Sequence, residues 1–129
     1  MLNVELLKKA GLDQDTIDRL VKEEQRKAFE EKIKKADLLI TGEGKIDRQT
    51  FYGKPLHILF NLTEKYRIPT IALCGTVDEE IYKILNSNLI SIMSILPGLV
   101  DYKDAMKKAK YYLRIKTEQI LKILKCGKK

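Results

Sequence analysis

A chain of 129 residues with 44% hydrophobic and 33% charged residues can bury one core, which argues for a globular protein and against intrinsic disorder. No apolar run approaches the roughly 18 to 20 residues of a membrane span, and Met1 to Lys9 lacks the basic-then-apolar order of a signal peptide, so a cytoplasmic protein without a membrane partner is expected. The formal net charge of +7 is concentrated: Asp101 to Lys129 holds ten basic and three acidic residues, and the rest of the chain balances.

In chain order, Leu2 to Ala10 reads as a short helix stopped by Gly11, a good C-terminal cap. A second helix starts after Asp13 or Asp15 and runs to about Lys35. Its polar middle leaves a thin apolar stripe of Ile17, Leu20, Val21, Ala28 and Ile33. Asp37 to Thr41 reads as a strand, because Leu38, Leu39 and Ile40 are consecutive apolars of the kind found when both sheet faces are covered. A loop is expected from Gly42 to Lys54, then a helix with Pro55 in its first turn and Leu56, Leu59, Phe60 and Leu62 inward. A second strand, Thr70 to Cys74, is ended by Gly75. Thr76 and Glu79 then have the spacing of a capping box for a helix ending near Asn86. A third strand, Leu89 to Leu96, is closed by Pro97-Gly98. The last helix begins near Asp101 or Asp104 and stops before Gly127, with Met106, Ala109, Leu113, Ile120 and Leu124 as its stripe.

Strands separated by helices predict an α/β fold: a Rossmann-like parallel sheet of at least three strands with helices on both faces, preceded by one or two helices. Residues 1–35 form an N-terminal helical segment in this reading, and 36–129 the α/β domain. Cys74 in an apolar strand and Cys126 near the basic end read as a buried small hydrophobe and an exposed thiol, with neither a disulfide nor a metal site.

Ligands of such sheets collect beyond the C-terminal strand ends, here Gly42-Glu43-Gly44, Gly75-Thr76 and Pro97-Gly98. The densest polar cluster is Thr41-Gly42-Glu43-Gly44-Lys45-Ile46-Asp47-Arg48-Gln49-Thr50 with Gly53-Lys54. Its carboxylates suit a divalent cation, its cations and backbone N–H groups suit phosphate, and a carboxylate can take the proton of an attacking hydroxyl. Two generic motifs fail. Gly53-Lys54 is followed by Pro55 rather than Ser or Thr, so it is no P-loop, and Gly42-x-Gly44-x-x-Asp47 lacks the third glycine of a dinucleotide fingerprint. Taken without any family, the cluster reads equally as a turn and helix start with Asp47 as the cap.

The run Asp37-Leu-Leu-Ile-Thr41-Gly-Glu-Gly44-Lys-Ile-Asp47-x-Gln49-Thr50-x-x-Gly53-Lys54 resembles the signature of the bacterial glycerate kinase family. The similarity continues through Lys65 to Gly75 and through Ser91-Ile-Met-Ser94-Ile-Leu-Pro97-Gly98, and it covers about Phe29 to Leu124. The resemblance implies transfer of the γ-phosphoryl group of ATP to a hydroxyl of D-glycerate, with Mg2+. It implies that Asp47 and Glu43 lie at the cleft, Asp47 as base or metal ligand and Glu43 in metal or substrate binding. By the same resemblance Thr41, Gly42, Gly44, Lys45, Gln49, Thr50, Gly53, Lys54 and Gly75 bind substrate or phosphate. Lys45 stands where the family has Arg and keeps the charge without the bidentate fork; Leu99 replaces the second proline of a Pro-Gly-Pro. His57, the single histidine, reads as a partly exposed helix position.

The segment before Phe29 does not resemble the family, so this chain is expected to carry only the C-terminal part of the enzyme and to be incomplete alone, completed by a missing N-terminal chain. The alternative is a non-catalytic Rossmann-like fragment that binds phosphate, a nucleotide or a protein. Open sheet edges favour a homodimer. The basic last helix reads as a solvated face, and the absence of aromatic stacking platforms there argues against a nucleic-acid partner.

Overall fold

The computed structural model describes residues 2–127, and the chain divides into two compact units, Met1–Asp37 and Leu38–Lys129. The first unit holds α1 (Val4–Lys9) and α2 (Gln14–Lys34). Asn3 caps α1 by accepting from the Leu6 N–H, and Asp13 caps α2 by accepting from the Thr16 N–H at 3.1 Å. Between them Gly11 takes φ +88°, the left-handed turn that favours glycine. Of the stripe read from sequence, Ile17 and Ile33 are buried, Leu20 and Val21 half-buried, and Ala28 exposed.

The second unit runs β1 (Leu39–Ile46), α3 (Arg48–Phe51), α4 (Lys54–Tyr66), β2 (Thr70–Val77), α5 (Glu79–Ile84), β3 (Ile90–Ser94), α6 (Tyr102–Lys107) and α7 (Ala109–Cys126). The three strands form one parallel sheet in the order β1-β2-β3. The fold is α/β with helices flanking the sheet and preceding its first strand. Right-handed crossovers in this order put α4 and α5 on one face. Strand residues alternate between faces; Thr70, Ala72 and Cys74 of β2 with Ile90 and Ile92 of β3 are buried on one face, and Leu73 of β2 is buried on the other. Leu56, Leu59 and Phe60 of α4 and Ile81 of α5 supply further apolar groups to the core. Ser87 ties the chain before β3 to α4: its hydroxyl donates to the Glu64 carboxylate and accepts from the Leu89 N–H. Among the described residues no buried side-chain polar atom lacks a partner, and no helix is long and apolar enough to cross a membrane.

Four sequence readings need correction. The first strand does not stop at Thr41: β1 continues to Ile46, so Gly42 to Ile46 are strand rather than loop. The second strand likewise passes through Gly75 to Val77, and the pairs Lys45↔Thr76 and Ile46↔Val77 extend the ladder. A parallel ladder satisfies backbone groups that glycine and charged residues would leave to water, and that gain overrides their poor strand propensity. Thr76 therefore does not cap α5; Asp78 occupies the cap position without a side-chain hydrogen bond. The last helix is two helices broken at Lys108, and its buried residues are Tyr112 and Ile120, whereas Met106, Leu113 and Leu124 are exposed.

Gly75 makes the extension possible. A Cβ there would lie 2.7 Å from the Gly44 carbonyl oxygen, inside any real contact, whereas a Cβ on Gly44 meets nothing within 4 Å. Gly75→Ala should cost about 1–3 kcal/mol, as forced overpacking does, while Gly44→Ala should leave stability nearly unchanged; urea unfolding of both variants checks this. α4 ends at Arg67 with φ 59°, left-handed for a residue with a Cβ. Arg67→Gly relieves that penalty and should raise stability by up to about 1 kcal/mol, read in the same unfolding experiment.

Candidate active site

The polar segment is held out along β1 rather than folded into a loop. The Leu39 N–H donates to the Pro69 carbonyl at 2.9 Å. The alternation of a parallel ladder then turns the N–H groups of Ile40 and Gly42 away from β2. Gly42 and Gly44 are exposed, and Thr41 and Glu43 are half-buried on the opposite face. Where β1 and β2 end, an open cleft of about 990 Å3 begins, within the size range of roughly 300–1,000 Å3 typical of ligand pockets. Thr41, Gly42, Glu43, Gly44, Lys45 and Gly75 line one side, and residues of α6 and α7 such as Tyr102, Met106 and Leu113 line the other. Glu43 and Lys45 are the charged residues of this lining; the α7 side is apolar apart from Thr117.

The remaining residues singled out from sequence sit just beyond the strand end and do not line the cleft. Asp47 caps α3: one carboxylate oxygen accepts from the Thr50 N–H at 2.8 Å and from the Thr50 hydroxyl at 2.9 Å. The N–H first, then the hydroxyl, hold the Asp47 carboxyl below its ordinary value, and the Lys45 charge acts in the same direction. Gln49 is exposed on α3, and Thr50 is committed to Asp47. Gly53 caps α4, and a Cβ there would press to 3.1 Å on the Thr50 carbonyl oxygen, which accounts for this glycine by local geometry. Lys54 opens α4, and its side chain lies outside the described residues. His57 is exposed on α4.

Sequence reading missed two parts of the site. The α6–α7 wall follows the break at Lys108, which neither proline nor glycine announces. The Phe51 ring packs 5.9 Å from Phe60 and 5.1 Å from Tyr52, so these bulky residues fasten α3 to α4. Their adjacency to Asp47 was the available signal.

Among the described residues no three His, Cys, Asp or Glu side chains converge to hold a metal. Glu43 and Asp47 nevertheless carry the oxygen donors a hard divalent cation takes, and Mg2+ commonly uses one or two carboxylates with phosphate oxygens completing its shell.

Comparison with known proteins fits this geometry. The Glycerate kinase family matches residues 19–125. The chain belongs to the glycerate kinase family. The match takes in most of α2 and nearly all of the α/β unit. The glycerate kinase of Bacillus subtilis (strain 168) is 32% identical over 100 residues, which cover 78% of this chain and 26% of that protein. The glycerate kinase of Neisseria meningitidis serogroup B is 33% identical over 86 residues, 66% of this chain and 23% of that protein. The glycerate 2-kinase of Escherichia coli (strain K12) is 30% identical over 81 residues, 63% of this chain and 21% of that protein. The chain therefore spans about a quarter of the length of the curated relatives it matches.

The capping role of Asp47 gives a pH prediction. Its depressed pKa means that the ionised cap stabilises α3 at neutral pH and that this support is lost as pH falls below the ordinary value of 3.8. Asp47→Asn keeps a capping oxygen and should retain α3 with a flatter acid dependence, whereas Asp47→Ala should loosen α3 at every pH. The Thr50 amide resonance, followed by acid titration, reads both.

Proposed function

We propose that this chain carries one wall of a glycerate-kinase-type cleft, in which the γ-phosphoryl group of ATP passes to a hydroxyl of D-glycerate, and that it is incomplete alone. The observation that carries the reading is the cleft at the C-terminal ends of β1 and β2, edged by Thr41 to Lys45 and by Gly75 in a chain of this family. Phosphoryl transfer is mostly positioning and charge stabilisation, and these residues supply both kinds of contact. Lys45 offers its ammonium to a phosphate group, and the outward N–H group of Gly42 offers a hydrogen bond that no side chain obstructs. Thr41 and Gly75 shape the floor. Gln49, Thr50, Gly53 and Lys54 belong to the same proposal as groups at the rim beyond α3, where substrate would approach.

The two carboxylates divide the work. Asp47, with one oxygen bound twice by Thr50 and its pKa depressed, is a weak proton acceptor, which supports a metal-holding role over a base role. Glu43 lines the cleft and is the better placed of the two to take the proton of the attacking hydroxyl. Asp47 would hold Mg2+ beside the phosphates, where the ion would supply neutralisation of developing charge.

The second reading, a non-catalytic fragment that binds phosphate, a nucleotide or a protein, is favoured by the absence of a three-carboxylate cluster among the described residues and by the apolar far wall of the cleft. ATP-dependent phosphorylation of D-glycerate separates them. The isolated chain should be slower than a completed enzyme by on the order of 10^3-fold or more, because several parts must act together. In the completed enzyme Glu43→Gln and Lys45→Ala should each cost on the order of 10^2-fold or more in kcat. Full turnover by both variants would contradict the kinase assignment of these residues.

A further inference from the structure

The cleft has two chemically different walls. The strand side carries Lys45 and the outward N–H group of Gly42, and the helix side is largely apolar. On the helix side Tyr102 is 80% exposed, Met106 61% and Leu113 44%. Ala105 and Ala109 line the cleft beside them and add little bulk. Single exposed apolar side chains are ordinary, but convergent ones around one groove, with an open aromatic ring among them, mark a ligand surface. The donors around this wall are already spent. The Thr117 hydroxyl donates to the Leu113 carbonyl at 2.7 Å. The Ile95 N–H donates to the Cys74 carbonyl at 2.8 Å, and the Leu96 N–H to the Ser94 hydroxyl at 3.1 Å.

We infer that the helix wall is a nucleobase subsite: Tyr102 stacks on the base of a nucleoside triphosphate whose phosphates lie at Gly42 and Lys45, and the wall takes adenine and guanine alike. The inference rests on the reading of the strand ends as the phosphate side of the cleft. Three observations select this occupant. The two walls match in kind the two ends of a nucleotide, a polyanion and a flat ring with apolar faces. Asp101 to Lys110 holds four lysines against two acids, a local positive excess that suits a triphosphate. The cleft of about 990 Å3 lies at the upper end of ligand pockets, enough for a nucleotide with a small acid beside it. Indifference to the base follows from the spent donors. Adenine and guanine differ in the donors and acceptors along the ring edge, and a site built to pair with that edge rejects the wrong partner strongly. Stacking reads only the ring face, which every base has. The Tyr102 hydroxyl lies in the plane of its own ring and does not address the edge of a base stacked on that ring. Purines, with the larger ring area, gain more from this wall than pyrimidines.

The test titrates the full chain, isotope-labelled at the methyl groups of Met106 and Leu113, with inorganic triphosphate, ATP, GTP and UTP in the presence of Mg2+. A base lying on this wall shifts both methyl resonances through its ring current, so ATP and GTP should move them and inorganic triphosphate should not. ATP and GTP should bind within about threefold of each other, and both more tightly than UTP or triphosphate. Tyr102→Ala should weaken ATP and GTP about tenfold and leave triphosphate unchanged, with Tyr102→Phe retaining full binding. The exposure of Tyr102 means that its removal leaves the core intact. Methyl shifts that triphosphate reproduces, an unchanged ATP affinity in Tyr102→Ala, a preference for ATP over GTP of about tenfold or more, or no nucleotide binding would each overturn the inference. Base-dependent binding without phosphorylation of D-glycerate by the completed enzyme would leave the subsite standing and count against the proposed kinase function instead. Phosphorylation by the completed enzyme with a KM for ATP that Tyr102→Ala does not move would overturn the subsite and leave that function standing.

Discussion

The Gly44 carbonyl oxygen approaches β2 at the one position where β2 has no Cβ, Gly75, and a methyl group there would stand 2.7 Å from it. Much of the site follows from that contact. It lets β1 stay paired past Cys74, so the ladder reaches Lys45↔Thr76 and Ile46↔Val77. The pairing carries Glu43 and Lys45 along the strand end at fixed spacing, and it sets down Asp47 where α3 must begin. A loop of the same composition would sample many arrangements of the same charges; a strand holds them in one, and most of the ordering cost is met by backbone hydrogen bonds rather than by a ligand.

Two kinds of polar group result. Glu43 and Lys45 belong to the lining of a cleft with an apolar far wall, where a charged substrate would be partly removed from water and its contacts strengthened. Asp47 is spent in part on structure, since its carboxylate is bound by Thr50 and its proton affinity is lowered by that binding. A residue can serve as cap and as ligand together only in its ionised form, and the cap keeps it ionised. The Phe51–Phe60 contact then fixes α3 against α4, so the cap is anchored to a helix with a buried face.

The parts of the fold legible in the sequence are those where one signal suffices. The apolar run Leu38 to Ile40 announces β1, Thr70 to Cys74 announces β2, Asp13 marks the start of α2, and Pro55 marks the first turn of α4. The extension of β1 was not legible, because Gly42, Glu43, Gly44 and Lys45 are poor strand formers and only their pairing with β2 makes them strand. The stripe of the last helix was read correctly as periodic, and Ile120 in it is buried, but Leu113 and Leu124 on the same side are exposed and Met106 falls on a separate helix before the break at Lys108. Periodicity says which residues share a side, and burial depends on what lies opposite each of them. For the site, residue identities from Thr41 to Lys54 were legible through the family signature. Their division into cleft-lining residues and residues beyond α3 was not, because it depends on where the strand ends.

The central claim, that the ends of β1 and β2 form a phosphate-accepting cleft, is met most directly by the amide spectrum of the isotope-labelled chain titrated with Mg2+ and ATP. The account predicts shifts concentrated at Gly42, Glu43, Gly44, Lys45 and Gly75, with glycerate adding its own changes at Glu43. An unchanged spectrum, or shifts confined to the basic outer side of α7, would contradict it.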